Sequence, residues 1–229
     1  MKKKRWILIL LFLFIGVGLL TFPKTVRVYY DLKNKRSYET YKNQVAHMKT
    51  DEAKEKTEKI RHCYDENIKD GEGITDPFNS NKESVDKMAS CLDMEKNDIF
   101  SMLEIPKLGL IVPIFLNSSN EALNNGVGLV EGSSLPVGGE STHSVLAGHR
   151  GLWTQEMLRH ADKLKSGDVF YIHTLEETLT YEIFAQTIIY PYDTDILEIE
   201  KGKDLATLIT CHPFPTDLQR LLIRGERVK

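Results

Sequence analysis

The sequence predicts a mainly β protein, a closed or nearly closed barrel of short strands preceded by a helical region. Three observations lead there. From residue 99 onward, short apolar runs alternate with clusters of Gly, Pro, Ser and Asn. Spacings of three and four between apolar residues are concentrated upstream, before residue 70. Strands and helices do not alternate regularly, which argues against a doubly wound sheet. The chain has 229 residues, enough for one hydrophobic core with an appendage or for two small cores.

Residues 1 to 23 read as a basic cap and a membrane anchor. Lys2, Lys3, Lys4 and Arg5 precede Trp6 to Phe22, an uncharged run whose one polar side chain is Thr21. As a helix that run is roughly 26 Å long at about 1.5 Å per residue, the short end of what crosses a bilayer. Positive charge stays inside, so the rest of the chain is expected outside the cell in a single-pass arrangement. A cleaved signal peptide is the alternative, but residues 18 to 22 lack a small-x-small cleavage site.

Residues 24 to 98 form a charged extension. Tyr38, Tyr41, Val45 and Met48, and then Ile60, Tyr64 and Ile68, recur at helical spacing. One long helix or two shorter ones are expected, as a stalk packed on the following domain or as a helix pairing with another protein. Residues 69 to 82, rich in glycine and containing Asp-Pro and Asn-Ser, mark a loop. Residues 83 to 96 add a short helix.

Within residues 99 to 229, strands are expected over 100 to 105, 110 to 116, 144 to 147, 169 to 174, 178 to 190, 205 to 211 and 220 to 224. Short helices are expected near 119 to 124, 154 to 164 and 202 to 206. The chain contains no internal repeat.

The formal charge of −3 gives no general nucleic-acid surface. Cys63, Cys91 and Cys211 are too few for a disulfide scaffold and have no metal-ligand spacing, so no structural metal site is expected, and the reaction implied below needs no organic cofactor. Cys63 and Cys91 bracket the loop and would tether it if they met; two unpaired buried thiols are the alternative. An odd cysteine count in an exported chain leaves one thiol free or joins two chains.

Cys211 ends the run Ala206 to Cys211, and alternation puts Ile209 and Cys211 on one face, Leu208 and Thr210 on the other. A thiol at the lip of a sheet is fixed by its backbone yet within reach of a substrate, although a lone strand cysteine is more often buried filler. Arg220 opens the next strand after a short connection. It either points a guanidinium at chemistry beside Cys211 or closes a rim salt bridge. Arg224 shares its face about 13 Å farther along. His149, at the end of an apolar run, titrates near neutrality and suits proton transfer; a structural role is the default for any single histidine. His212 is disfavoured, because adjacent strand residues face opposite ways.

Taken together, these segments resemble the sortase family, and within it the class C, pilus-building type. The matching pieces are Thr207-Leu208-Ile209-Thr210-Cys211, Arg220-Leu221-Leu222-Ile223-Arg224-Gly225, Gly148-His149-Arg150-Gly151, Glu131 to Gly139, and Ile105-Pro106-Lys107. The resemblance covers roughly residues 99 to 228. It implies an eight-stranded β-barrel with Cys211 as nucleophile, His149 as catalytic histidine and Arg220 as catalytic arginine. Asp76-Pro77-Phe78 resembles the class C lid motif, which lies over the active site in that family. The lid would pair Asp76 with the arginine, cover the thiol with Phe78, and open for substrate. The sequence departs from the family pattern at His212, at Trp153, at Leu129, and in lacking a second membrane segment after Arg224. These departures bear on substrate choice.

The implied reaction is two-step acyl transfer. Cys211 attacks the carbonyl after threonine in an LPxTG-like sorting signal, His149 protonates the leaving amine, and Arg220 holds the oxyanion. A pilin lysine amine then resolves the thioacyl enzyme. Implied partners are pilin subunits or other surface proteins, the acceptor lysine or a cell-wall precursor, and the membrane through residues 6 to 22. The alternatives are a housekeeping sortase, a non-catalytic assembly protein and a hydrolytic cysteine protease.

Overall fold

A computed structural model describes residues 2–67, 73–78, 98–152 and 155–228. Helix α1 runs from Lys2 to His47 and α2 from Thr50 to Asn67. The strands are β1 Ser101–Ile105, β2 Leu110–Phe115, β3 Val127–Leu129, β4 Thr142–Ala147, β5 Val169–His173, β6 Thr178–Ile189, β7 Asp204–His212 and β8 Gln219–Val228. They close into a barrel in the order β1-β2-β3-β4-β7-β8-β6-β5, with β5 returning to β1. The pairs β2·β3 and β4·β7 are parallel and the others antiparallel. Closure removes the open edges a sheet would otherwise expose.

The β7–β8 wall is buried on both faces, and its alternation sorts the side chains into two layers. Leu208, Leu221 and Ile223 join the main core. Ile209 and Leu222 join a second cluster on the other face with Val145, Ala147, Leu123 and Leu197. Cys211 continues the face of Ile209, so the second layer is the floor of the candidate site.

The apolar stripe of the extension is real and packs on the barrel. Asn34 and Tyr41 of α1 are buried, as are Ala53, Thr57, Ile60, Cys63 and Tyr64 of α2. Tyr41 donates to the Phe100 carbonyl across 3.3 Å, and Tyr64 donates to the Ser133 carbonyl. The anchor and the first half of the extension form one continuous 46-residue helix with Pro23 inside it. Cys63 is disulfide-bonded. Cys91, the short helix expected over 83 to 96, Ile68, Trp153 and the loop 69 to 82 apart from 73–78 lie outside the described residues.

Three expectations in the barrel need correction. The segment 154 to 164 is not a helix: its described part has turns and a 3-10 turn at Ala161–Lys163. Bonds that would run along a helix go elsewhere. His149 takes the Leu158 N–H, Arg150 takes the Arg159 carbonyl, and Met157 has a left-handed φ of 44°. Residues 202 to 206 also fail to form a helix, since Asp204 already pairs with Thr142 across β4·β7. Strand β3 was not expected. It has three residues, too few to show a period, and Gly128 sits in it because a Cβ there would lie 2.2 Å from the Asn117 carbonyl oxygen. The helix near 119 to 124 is present as α3, Asn120–Asn125, capped by the Ser119 hydroxyl.

Candidate active site

Three strand ends build the site. Cys211 and Arg220 are register partners across β7·β8, which brings together residues nine apart in sequence. His149 follows β4, the parallel neighbour of β7. The pairing continues one step beyond Ala147, where the Gly148 N–H bonds the Ile209 carbonyl at 3.0 Å. A Cβ at Gly148 would sit 2.9 Å from both Leu158 Cδ1 and Val127 Cγ1, so any side chain there would force these neighbours to move. This close approach aims the chain so that His149 leaves β4 beside the end of β7.

Residues 73–78 lie on this wall. The Asp76 carboxylate accepts two parallel bonds from Arg220, from Nε and Nη2, each 2.7 Å long. The Arg220 and Asp76 side chains are only 2% and 8% exposed, so this is a buried, bidentate, charge-assisted pair. Arg220 Nη1 donates to the carbonyls of Asp217 and Gln219. The Phe78 ring lies 5.0 Å from the Arg220 guanidinium and 6.3 Å from the His149 ring. Ile74 and Phe78 pack on the second apolar cluster.

These surroundings set the resting charge state. Burial pushes the Cys211 thiol up; Arg220 pulls against it, while Asp217 and Asp76 add to the rise. Burial pushes the His149 imidazole down. Both shifts favour the neutral forms, thiol and imidazole. Burial also opposes charge on Arg220, but its bonds to Asp76 outweigh this and hold the guanidinium protonated.

One functional position had no assigned role in the sequence reading. Arg150 is buried, and its guanidinium spans three elements: Nη1 reaches the Cys211 carbonyl at 3.3 Å, Nε the Arg159 carbonyl at 3.0 Å, and Nη2 the Asp162 carboxylate at 2.8 Å. It ties the loop after His149 to the backbone of Cys211. Its signal was available: an arginine directly after a candidate histidine at a strand end. His212, by contrast, pairs with Gln219 beyond the thiol, and its buried Nδ1 finds no partner among the described residues.

The chain matches the sortase domain over residues 103–228, more than half its length, and belongs to the sortase family. Its structural likenesses are to sortases of the C class. The sortase C of Streptococcus pneumoniae is 36% identical with a TM-score of 0.74, over 83% of this chain and 95% of that one. The pilus-related sortase C of Group B Streptococcus is 32% identical with a TM-score of 0.73, over 82% and 95%. Among curated sequences, sortase D of Bacillus subtilis is 31% identical over 58% of this chain, and the match spans 66% of that protein's length. For sortase A of Bacillus anthracis the match is 26% identical over 59% of this chain and spans 62% of that protein. The chain thus spans just under two thirds of these two curated relatives.

Proposed function

We propose that this chain is a cysteine transpeptidase that polymerises pilin subunits at the outer face of the cell membrane. The observation that carries the reading is the cross-strand pairing of Cys211 with Arg220 beside the end of β4, where His149 stands. Likeness to class C sortases, one of them described as pilus-related, supplies the substrate class.

In this mechanism the lid first leaves Arg220, the freed guanidinium favours the thiolate, and the thiol proton passes to His149, which becomes imidazolium. Cys211 Sγ attacks the carbonyl after threonine in an LPxTG-like signal. Arg220 now holds the oxyanion with the donors that Asp76 occupied. As the C–N bond breaks, His149 gives its proton to the leaving amine and a thioester remains. A pilin lysine amine attacks the thioester, His149 takes a proton from it, and Cys211 leaves as thiolate. The product is an isopeptide bond, and no cofactor enters the balance.

Residues 1–23 act as the anchor, 24–98 as the extension bearing the lid and 99–229 as the catalytic domain. The apolar part of α1 is long enough to span a bilayer, with a mean hydropathy of 2.5 over its best window. Incubation with a sorting-signal peptide, followed by intact-mass measurement, tests the assignment. The wild type should gain an acyl adduct and Cys211→Ala should not; an adduct surviving in Cys211→Ala rules out this nucleophile.

A second reading is attachment of surface proteins to cell-wall peptide. It draws on the curated relatives, which include sortases A and D. Offering the acyl enzyme a pilin lysine peptide and a wall-type amine together separates the two by the product that accumulates.

A further inference from the structure

The anchor helix does not simply hold the domain on a leash. Arg27 of α1 bonds Glu156 in the loop after His149, with Nη1 and Oε1 2.5 Å apart and both side chains half-buried. Glu156 also faces Arg159 at 3.5 Å and His160 at 3.4 Å. The Arg159 guanidinium lies 4.7 Å from the Phe214 ring, in the connection that follows Cys211. The Arg159 carbonyl is bonded to Arg150, which also holds the Cys211 carbonyl. A continuous run of contacts therefore joins the helix just past its apolar run to the backbone of the candidate nucleophile.

Position along the helix fixes which end of the barrel is nearest the bilayer. Arg27 lies five residues beyond Phe22, roughly 7.5 Å along the axis at about 1.5 Å per residue. The headgroup layer of one leaflet is on the order of 5 to 8 Å thick. Glu156 and its neighbours thus stand at the outer limit of the headgroups. The opposite end of the barrel is farther away. Tyr38 of α1 meets His173, at the end of β5, with ring centroids 5.0 Å apart. Tyr38 is eleven residues past Arg27, roughly another 16 Å. A kink at Pro23 would change the tilt but not this order, because Arg27 follows Pro23 within about one turn.

We propose that the barrel end carrying Cys211, Arg220 and Phe214 rests against the outer surface of the bilayer that α1 spans. Arg27 and Glu156 form the clamp that holds it there. The inference depends on the anchor reading above. The surface has the chemistry for an interfacial contact: Phe214 is 47% exposed and stacked on a cation, with the His160 side chain 48% exposed nearby. A substrate carbonyl must then meet Cys211 close above the headgroups.

The full chain with the photocrosslinker p-benzoylphenylalanine in place of Phe214, reconstituted in phosphatidylglycerol–phosphatidylcholine vesicles, tests this. The same substitution at Glu176, in the turn after β5, and at Phe22, inside the anchor, gives the comparison. Lipid adducts at 214 and 22 but not at 176, read by mass spectrometry, are expected. An adduct at 22 with none at 214, or equal yields at 214 and 176, overturns the proposal and leaves the anchor standing. No adduct at 22 overturns the anchor reading itself.

Discussion

Strands β7 and β8 carry two similar constellations on one face, four residues apart, and only one has the composition of a reactive site. At the first, Cys211 opposes Arg220; at the second, Thr207 opposes Arg224. Each arginine binds a carboxylate, Asp76 or Glu200, and lies 5.0 Å from a phenylalanine ring, Phe78 or Phe184. A histidine accompanies each, His149 at the first and His143 at the second. The difference lies in how the members are held. His143 is bonded on both nitrogens, by the Glu198 carbonyl at 3.0 Å and the Thr207 hydroxyl at 2.7 Å. Among the described residues, no hydrogen bond engages the ring nitrogens of His149. Glu200 and Phe184 come from segments adjoining these strands and are partly exposed, whereas Asp76 reaches Arg220 from 144 residues away and is buried. In the second constellation His143 is fixed at both nitrogens and Arg224 is tied to Glu200 through Nη2. The first has an imidazole with no hydrogen bond among the described residues and an arginine whose partner sits on a separate segment.

The sharpest way to break this comparison is to exchange the arginines for methionine one at a time. Arg220→Met should lower the rate of acyl-enzyme formation by about 10²- to 10³-fold, the usual cost of losing an oxyanion donor. Arg224→Met should leave that rate close to wild type. Equal losses in stopped single-turnover measurements would mean that the two sites are not functionally distinct.

Next in size is the carboxylate exchange. Asp76→Asn removes the charge that neutralises Arg220 and raises the Cys211 thiol, so the thiol should titrate lower. Labelling of Cys211 by a thiol reagent should become faster, and its pH profile should move to lower pH. Glu200→Gln should change neither. A faster rate without a shifted profile would mean that Asp76 affects Cys211 only by steric cover.

Arg150 sharpens the comparison differently, because the second constellation has no counterpart to it. Arg150→Met leaves the Cys211 and Arg159 carbonyls without their donor and should cost about 1 to 3 kcal/mol of stability, read from denaturant midpoints. It should also slow acyl transfer, with Arg150→Lys recovering stability better than rate, since an ammonium's donors leave a single nitrogen and cannot reproduce the planar spread from Nε to the two Nη atoms.

How much of this was legible in sequence follows from the range of each interaction. The β7–β8 pairing was readable, because a short connection makes two apolar runs neighbours and period two then assigns faces. Closure of the barrel followed from strand density, while β3 was invisible, being set by the approach of its backbone to the Asn117 carbonyl rather than by its own three side chains. Segment 154–164 misled because its helical pattern reflects real burial of Met157, Leu158, Ala161 and Leu164, yet its backbone groups are claimed by His149 and Arg150. The Asp76–Arg220 contact had no local signal and came only through the family motif. The place of Arg150 directly after His149 marked the residue, but its partners come from separate elements that no spacing rule brings together.

The smallest effect separates the two histidines by pH. Burial lowers His143 from its ordinary value of 6.5, and burial likewise lowers His149. In both cases the unfolded chain binds the proton more readily than the folded one. Stability is therefore fully present above the ordinary value and declines as pH falls below it toward the depressed folded value. For His143, protonation also removes the lone pair that accepts the Thr207 hydroxyl, so that buried bond must reverse, with Nε2–H donating to the hydroxyl oxygen. Among the described residues, His149 makes no such bond. Denaturant unfolding at pH 7.5 and at pH 5.5 should show a smaller loss on acidification in His143→Gln than in wild type, although the variant starts less stable. His149→Gln should retain most of the wild-type loss. If the His149 variant flattened the pH dependence and the His143 variant did not, the buried, doubly bonded imidazole would not be the acid-sensitive point of this face.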